Sequence, residues 1–174
     1  MAFWTETGTE PRRSYRFRLG SISGLKIGNV ASTKWWNAKK VDKPSFSVSS
    51  NKYRLINHEI NIPGIVQWNP ITIELADVGD TVKSLLEQLK EFGYSPDDLG
   101  NDKGLAKSNG MSKLGGITIE QLNGKGTAIE TWKLEGAYMT ELRFGNLDYA
   151  SDDIITLNMT ITYDYAYLDT TETE

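Results

Sequence analysis

Few side chains in this sequence are equipped for chemistry. Adjacent carboxylates stand at Asp97-Asp98 and Asp152-Asp153, the lone histidine is His58, and Gly124-Lys125-Gly126-Thr127 and Trp35-Trp36 complete the set. Paired carboxylates do general acid–base work when one pKa is raised and a cleft separates it from a second acid. As turn residues ahead of a helix or strand, both pairs are already explained by local backbone needs. No Ser and Asp arrangement around His58 suggests a triad, so it reads as a hydrogen-bonded structural histidine. Gly124–Thr127 lacks the four-residue spacer and following helix of a phosphate loop, and reads as a turn between strands. Asn158-Met159-Thr160 matches a glycosylation sequon fortuitously, within a strand. Trp35-Trp36 offers stacking surface for sugars or bases, but a wedge at a sheet end or a subunit contact is the preferred reading. A sugar-binding β-sandwich would need both indoles exposed on a concave face.

The 174 residues include no cysteine, which excludes disulfides, thiolate metal sites and cysteine nucleophiles. With one histidine, a His-rich zinc site is excluded too, and no cofactor is expected. Hydrophobic residues at 39% and charged residues at 24% fit one globular domain spanning 1–174 rather than a disordered chain. No apolar run approaches the roughly 20 residues of a membrane-spanning helix, so no membrane insertion is expected. The N-terminus lacks the basic region and apolar core of a secretory signal, giving the expectation of a cytoplasmic site of synthesis and folding. Charge is polarised along the chain: residues 1–60 carry 11 Lys and Arg against 4 Asp and Glu, a net of +7, whereas 61–174 carry a net of −11. Either these charges mix in space, or identical copies associate head to tail, basic face on acidic face; such heterologous contacts generate rings and filaments.

The elements that must position these residues are mainly strands. Tyr15, Phe17 and Leu19 alternate with Ser14, Arg16 and Arg18. A turn at Ser21–Gly24 and a returning strand through Leu25 and Ile27 follow. Residues 44–66 predict a protruding hairpin, with Phe46 and Val48 before a turn at Ser49–Asn51 and Tyr53, Leu55, Ile60 and Ile62 on the return to Pro63-Gly64. Its apolar residues are spread thinly over both faces, so it cannot stand alone in water. Ile71–Leu75 is a core strand. One helix is predicted, capped by Asp80 or Thr81, with Val82, Leu85, Leu86, Leu89 and Phe92 as its buried stripe, Lys83, Glu87, Lys90 and Glu91 wet, and Gly93 ending it. A helical turn at Ser95–Asp98 and a Gly-, Asn- and Ser-rich loop from Gly100 to Gly116 precede a hairpin of 116–122 with 128–135 about Asn123-Gly124. Leu142, Phe144 and Leu147 are expected to be buried. The last strand is expected to be the longest, with Ile155, Leu157, Met159, Ile161, Tyr163, Tyr165 and Tyr167 on one face and Thr156, Asn158, Thr160, Thr162 and Asp164 on the other. Residues 1–11 and 169–174 read as polar arms. With no catalytic set and surplus strand edge, the pattern suggests a structural subunit.

Trp132-Lys-Leu-Glu-Gly136, Leu142-Arg-Phe-Gly-Asn-Leu-Asp-Tyr149, Ser151-Asp-Asp-Ile154 and Leu157-Asn-Met-Thr-Ile-Thr-Tyr-Asp-Tyr165 together resemble the C-terminal region of T4-like contractile-phage tail tube proteins. Tyr15–Leu19 and the stretch from Val41–Val48 to Trp68–Leu75 fit the same element order over about residues 12–168. The resemblance implies a mainly β (α+β) fold, two packed antiparallel sheets forming a small barrel or sandwich with one flanking helix. It implies hexameric rings, stacked into a tube within a contractile sheath, that conduct genomic DNA into the host. Implied partners are further copies, the sheath protein, the baseplate tube initiator and, within the lumen, the tape measure protein and DNA; the implied location is the virion, after assembly in host cytoplasm. Related tubes occur in R-type bacteriocins and type VI secretion, and a baseplate initiator or tube terminator is the alternative within the same machine. Phe46, Val48, Tyr53, Leu55, Ile60 and Ile62 would then meet the next subunit or ring, and Thr156, Asn158, Thr160, Thr162 and Asp164 would line part of the lumen.

Overall fold

A computed structural model describes residues 12–20, 36–97, 104–107 and 116–169. The expected turn and strand over 21–28, Trp35, Asp98, most of the 100–116 loop and the arms at 1–11 and 170–174 lie outside them. In chain order the elements are β1 (Phe17–Leu19), β2 (Ala38–Val41), β3 (Ser45–Leu55), β4 (His58–Asn69), β5 (Ile71–Ala76), α1 (Thr81–Phe92), β6 (Ile117–Leu122), β7 (Ala128–Glu135), β8 (Tyr138–Arg143), β9 (Thr156–Thr162) and β10 (Tyr165–Asp169). They form one antiparallel sheet ordered β1-β6-β7-β10, a second ordered β2-β5-β9-β8, and a two-stranded ribbon β3-β4. The architecture is mainly β; the two four-stranded sheets pack face to face as a sandwich whose barrel is not closed.

Period-2 alternation builds the core. Ile71, Ile73 and Leu75 of β5 pair with Ile161, Met159 and Leu157 of β9, and all six are buried. Leu19, Ile117, Ile119 and Leu134 meet them from the other sheet. In α1, Leu85 is fully buried whereas Val82, Leu86, Leu89 and Phe92 are half-buried, and the Phe92 ring stacks on Tyr138 with centroids 6.4 Å apart. Asp80 holds the N-cap position without a side-chain cap; Thr81 Oγ1 instead donates to the Val78 carbonyl at 2.6 Å. Gly93 closes the helix at φ +120°, a conformation that favours glycine.

Several expectations change. The hairpin tip is Ile56-Asn57, not Ser49–Asn51, because Tyr53↔Ile60 and Leu55↔His58 pair across the ribbon. Ser49 lies instead at a bulge opposite Gly64-Ile65, next to the Ser50↔Pro63 pair, and its Oγ accepts the Ile65 N–H at 2.9 Å. A bulge tolerates a proline without an N–H, and a Cβ at Gly64 would collide with that Ser49 hydroxyl. The ribbon strands, at 11 and 12 residues, are also the longest.

The expected final strand is two strands in different sheets. Chain passage from β9 to β10 at Tyr163-Asp164 reverses the alternation, so Ala166 is buried and Tyr165 and Tyr167 are exposed. Phe144 and Leu147 are exposed rather than buried, because β8 ends at Arg143 and the chain leaves the sheet there. Strands β2 and β8 are elements that the residue pattern did not reveal. About Asn123-Gly124 the turn is longer than two residues: Asn123 Oδ1 accepts the Lys125 and Thr127 N–H groups, and the positive φ falls on Gly126.

Candidate assembly surfaces

The ribbon is the most exposed regular structure in the molecule. Its strands pair only with each other among the described residues, and its root is fixed by Trp68, which packs edge-on to Phe46 (5.3 Å between centroids) and against Tyr163 (6.0 Å). Cross-strand register sorts its side chains. Toward the root, Phe46↔Trp68 and Val48↔Val66 share one face. Beyond the bulge that face carries Lys52↔Asn61 and Arg54↔Glu59, with a Lys52–Glu59 ion pair at 2.7 Å. The apolar pair Tyr53↔Ile60, with Leu55 and with Ile62 across from Asn51, occupies the opposite face. Tyr53, Ile60 and Ile62 are 58%, 42% and 48% exposed, and Ile56 at the tip is fully so. His58 is exposed beside that tip, where its backbone pairs with Leu55 and its imidazole makes no hydrogen bond to a described residue, unlike the hydrogen-bonded structural histidine expected.

The outer face of the second sheet is hydroxyl-rich. Thr72↔Thr160 and Glu74↔Asn158 pair across β5 and β9, and Glu141↔Thr160 and Arg143↔Asn158 across β8 and β9. Thr160 Oγ1 donates to Glu141 at 3.3 Å, Glu141 accepts Arg143 Nε at 2.8 Å, and Thr162 reaches Thr140 at 3.4 Å. Lys40 lies across from Glu74, so the cations Lys40 and Arg143 balance the anions Glu74 and Glu141. Asp164 is not on this face: it sits in the crossover beyond β9, held by Lys107 Nζ at 2.5 Å.

Between the sheets, the flank at β1 and β2 is open. A groove of about 620 Å³ there has Phe17, Ile119 and Trp132 in its floor and Arg12, Lys39, Lys40 and Lys43 around it. Arg12 and Lys43 share Glu130, which also accepts Trp132 Nε1. Burial, and then the Arg12 charge, hold the Lys43 ammonium pKa below its ordinary value. On the far side, the connection from β8 to β9 exposes Leu147, Tyr149 and Ile154 among Asp148, Asp152 and Asp153. The +7 balance of residues 1–60 was the one sequence signal for this groove, but only the fold brings Arg12 beside Lys39–Lys43.

The conventional chemical candidates stay apart. Asp97 is exposed and ion-paired to Lys90, and Asp152 and Asp153 lie on the exposed connection. No group of three or more metal-ligating side chains occurs among the described residues, and no described helix is long and apolar enough to cross a membrane. Trp36 is 75% exposed, which overturns a buried wedge for that indole.

No protein-family model matches the sequence, and no curated protein does. Solved structures do. A chain of the sheath–tube complex of an extracellular contractile injection system (PVC, extended state) superposes with a TM-score of 0.69 at 20% identity, over 97% of this chain and 98% of that one. A chain of the PVC sheath/tube terminator matches at 0.67 and 21% over 92% and 98%, and one of the anti-feeding prophage tube-terminating cap at 0.63 and 18% over 93% of each. The chain therefore has, along nearly its whole length, the fold of the tube proteins of contractile injection systems.

Proposed function

We propose that this chain is the structural subunit of the inner tube of a contractile tail, a self-assembling protein whose hexameric rings stack into a hollow conduit for DNA within a sheath. The direction of the strands in the second sheet carries this reading. β2 is antiparallel to β5, β5 to β9 and β9 to β8, so the two edge strands run in opposite senses. A copy rotated about an axis along the strands brings its β2 antiparallel to the first copy's β8. Alternation then continues without a break around a closed ring, and closure is what removes exposed edges. The β3-β4 ribbon extends from this ring to the next subunit or ring, where its distal apolar face is covered.

The outer face of the second sheet becomes the inner wall of that barrel. Thr156, Asn158, Thr160 and Thr162 line it, and its balanced charges present phosphates with little to hold. The sheath packs outside, a baseplate initiator starts the stack, and the tape measure protein and genome occupy the lumen. The likeness to a terminator and a cap supports a second reading, an end piece of the same tube. Negative-stain microscopy of purified protein separates the two. Long hollow cylinders of uniform width are expected for the tube body, isolated rings for an end piece, and a monomer at all concentrations refutes both.

A further inference from the structure

The open groove and the β8–β9 connection are complementary in net charge and in exposed apolar surface. Among the described residues Lys39 makes no ion pair, whereas Lys40 stands across from Glu74, Arg12 and Lys43 share Glu130, and Glu120 also borders the groove, whose floor is apolar and aromatic. The 144–155 connection contains no Lys or Arg; it carries three aspartates and projects Leu147, at 86% exposure, with Tyr149 and Ile154. Its backbone is organised before any contact: Asp148 Oδ1 accepts the Ala150 N–H at 2.9 Å, and Ser151 Oγ donates to Asp153 at 2.9 Å. A connection held in shape from within loses less entropy on docking.

The two surfaces stand at opposite edges of one sheet. Lys39 and Lys40 belong to edge strand β2, and the connection begins directly after edge strand β8. Each chain thus offers a basic, apolar-floored slot on one side and an acidic, apolar plug on the other. That is a heterologous pair, unable to satisfy itself within a two-fold dimer.

We propose that the 144–155 connection of one copy docks in the Arg12–Lys39–Lys40–Lys43 groove of the next, its aspartates meeting the lysines and its apolar side chains covering Phe17 and Trp132. This rests on the edge-to-edge ring proposed above. When β8 of one copy pairs antiparallel with β2 of its neighbour, the C-terminal end of β8 lies against the start of β2, which delivers the connection to Lys39 and Lys40. The contact makes the polarised charge of the sequence a device for ordering subunits head to tail, because like charges meet in any other arrangement.

The absence of cysteine makes the test direct. A chain carrying both Lys39→Cys and Asp152→Cys, oxidised after assembly, is expected to give a covalent ladder of oligomers, while each single variant gives none beyond background. Charge reversal supplies a second measurement. Lys39→Glu with Lys40→Glu should raise the concentration needed for assembly about tenfold or more at low salt, and adding Asp152→Lys with Asp153→Lys should restore much of the loss. Rings that form normally without a ladder, or an oxidised product confined to single chains, overturn the docking and leave the ring reading standing. Charge-reversed chains that assemble as well as the wild type also overturn it, and mean that the groove faces some other partner or solvent. A wild-type chain that never assembles overturns both.

Discussion

Replacing Ile60 and Ile62 with threonine separates what the ribbon does for its own fold from what it does for assembly. Threonine keeps the β-branch that suits a strand but removes the apolar surface. In the single chain these side chains are 42% and 48% exposed, so roughly half of each remains to be buried by a neighbour. Complete burial of an isoleucine stabilises by about 1.5–3 kcal/mol. The unburied halves of the two together are therefore worth about 2 kcal/mol per junction, or about 30-fold in an association constant. The core lies elsewhere, in β5, β9 and the facing strands, but the halves already covered inside the ribbon count by the same arithmetic, so the folding free energy of the dispersed chain should fall by up to about 2 kcal/mol. Sedimentation across a concentration series measures the first quantity, and urea unfolding of the dispersed protein the second. An unchanged assembly threshold would refute the role assigned to the distal face. A loss of assembly fully explained by the larger fraction of unfolded chain would show that the two isoleucines support the chain's own fold instead.

Three other outcomes are expected. The Tyr163 hydroxyl is buried without a hydrogen bond of good geometry, and burial pushes its pKa up; Tyr163→Phe should be neutral or stabilising by up to about 1 kcal/mol in urea unfolding, and a loss larger than that would mean the hydroxyl is satisfied by the nearby Ser45 backbone. In assembled tubes, Thr160→Lys with Thr162→Lys should slow DNA passage at low salt and recover as salt rises, whereas normal ejection at every salt concentration would remove these threonines from the lining. The Lys90 ammonium, hydrogen-bonded to Asp97 at 2.6 Å, holds that carboxyl below its ordinary pKa. A depressed carboxylate stabilises the fold above its unfolded pKa and loses that contribution as pH falls through the folded value. Asp97→Asn should therefore lower thermal stability slightly at neutral pH, with the difference from wild type vanishing as pH falls below the ordinary carboxylate range, and curves that superimpose at neutral pH would count against the pair.

What the residue pattern revealed depended on how far local rules extend. Ile71–Leu75 and Leu157–Ile161 alternate because each has one wet and one dry face, so strand and burial could be read together. The helix was legible from its spacing and from Gly93. β2 was not, since Ala-Lys-Lys-Val carries no alternation and lies at a sheet edge where little is buried. The hairpin tip was misplaced because serines and asparagine mimic a turn, whereas Ile56-Asn57 is set by register across the ribbon. Tyr165 and Tyr167 changed face because the chain changes sheets, a tertiary event that no period within one strand contains. The groove was the least legible surface: it joins Arg12 to Lys39–Lys43 through the packing of two sheets.

The bulge at Ser49 and Gly64-Ile65 divides the ribbon into a root and a distal part. At the root, Trp68 packs on the chain's own sandwich against Tyr163, while Phe46, Val48 and Val66 on the same face stay exposed. Beyond the bulge, Tyr53, Ile60 and Ile62 lie on the opposite face, while the face continuous with the root carries Lys52, Arg54 and Glu59. If the ribbon bent back to cover its distal apolar side chains, its root would have to turn over and pull Trp68 off Tyr163. The ribbon's distal apolar face therefore stays uncovered in the single chain. In the tube proposed above, a second chain covers that face with no rearrangement of the first.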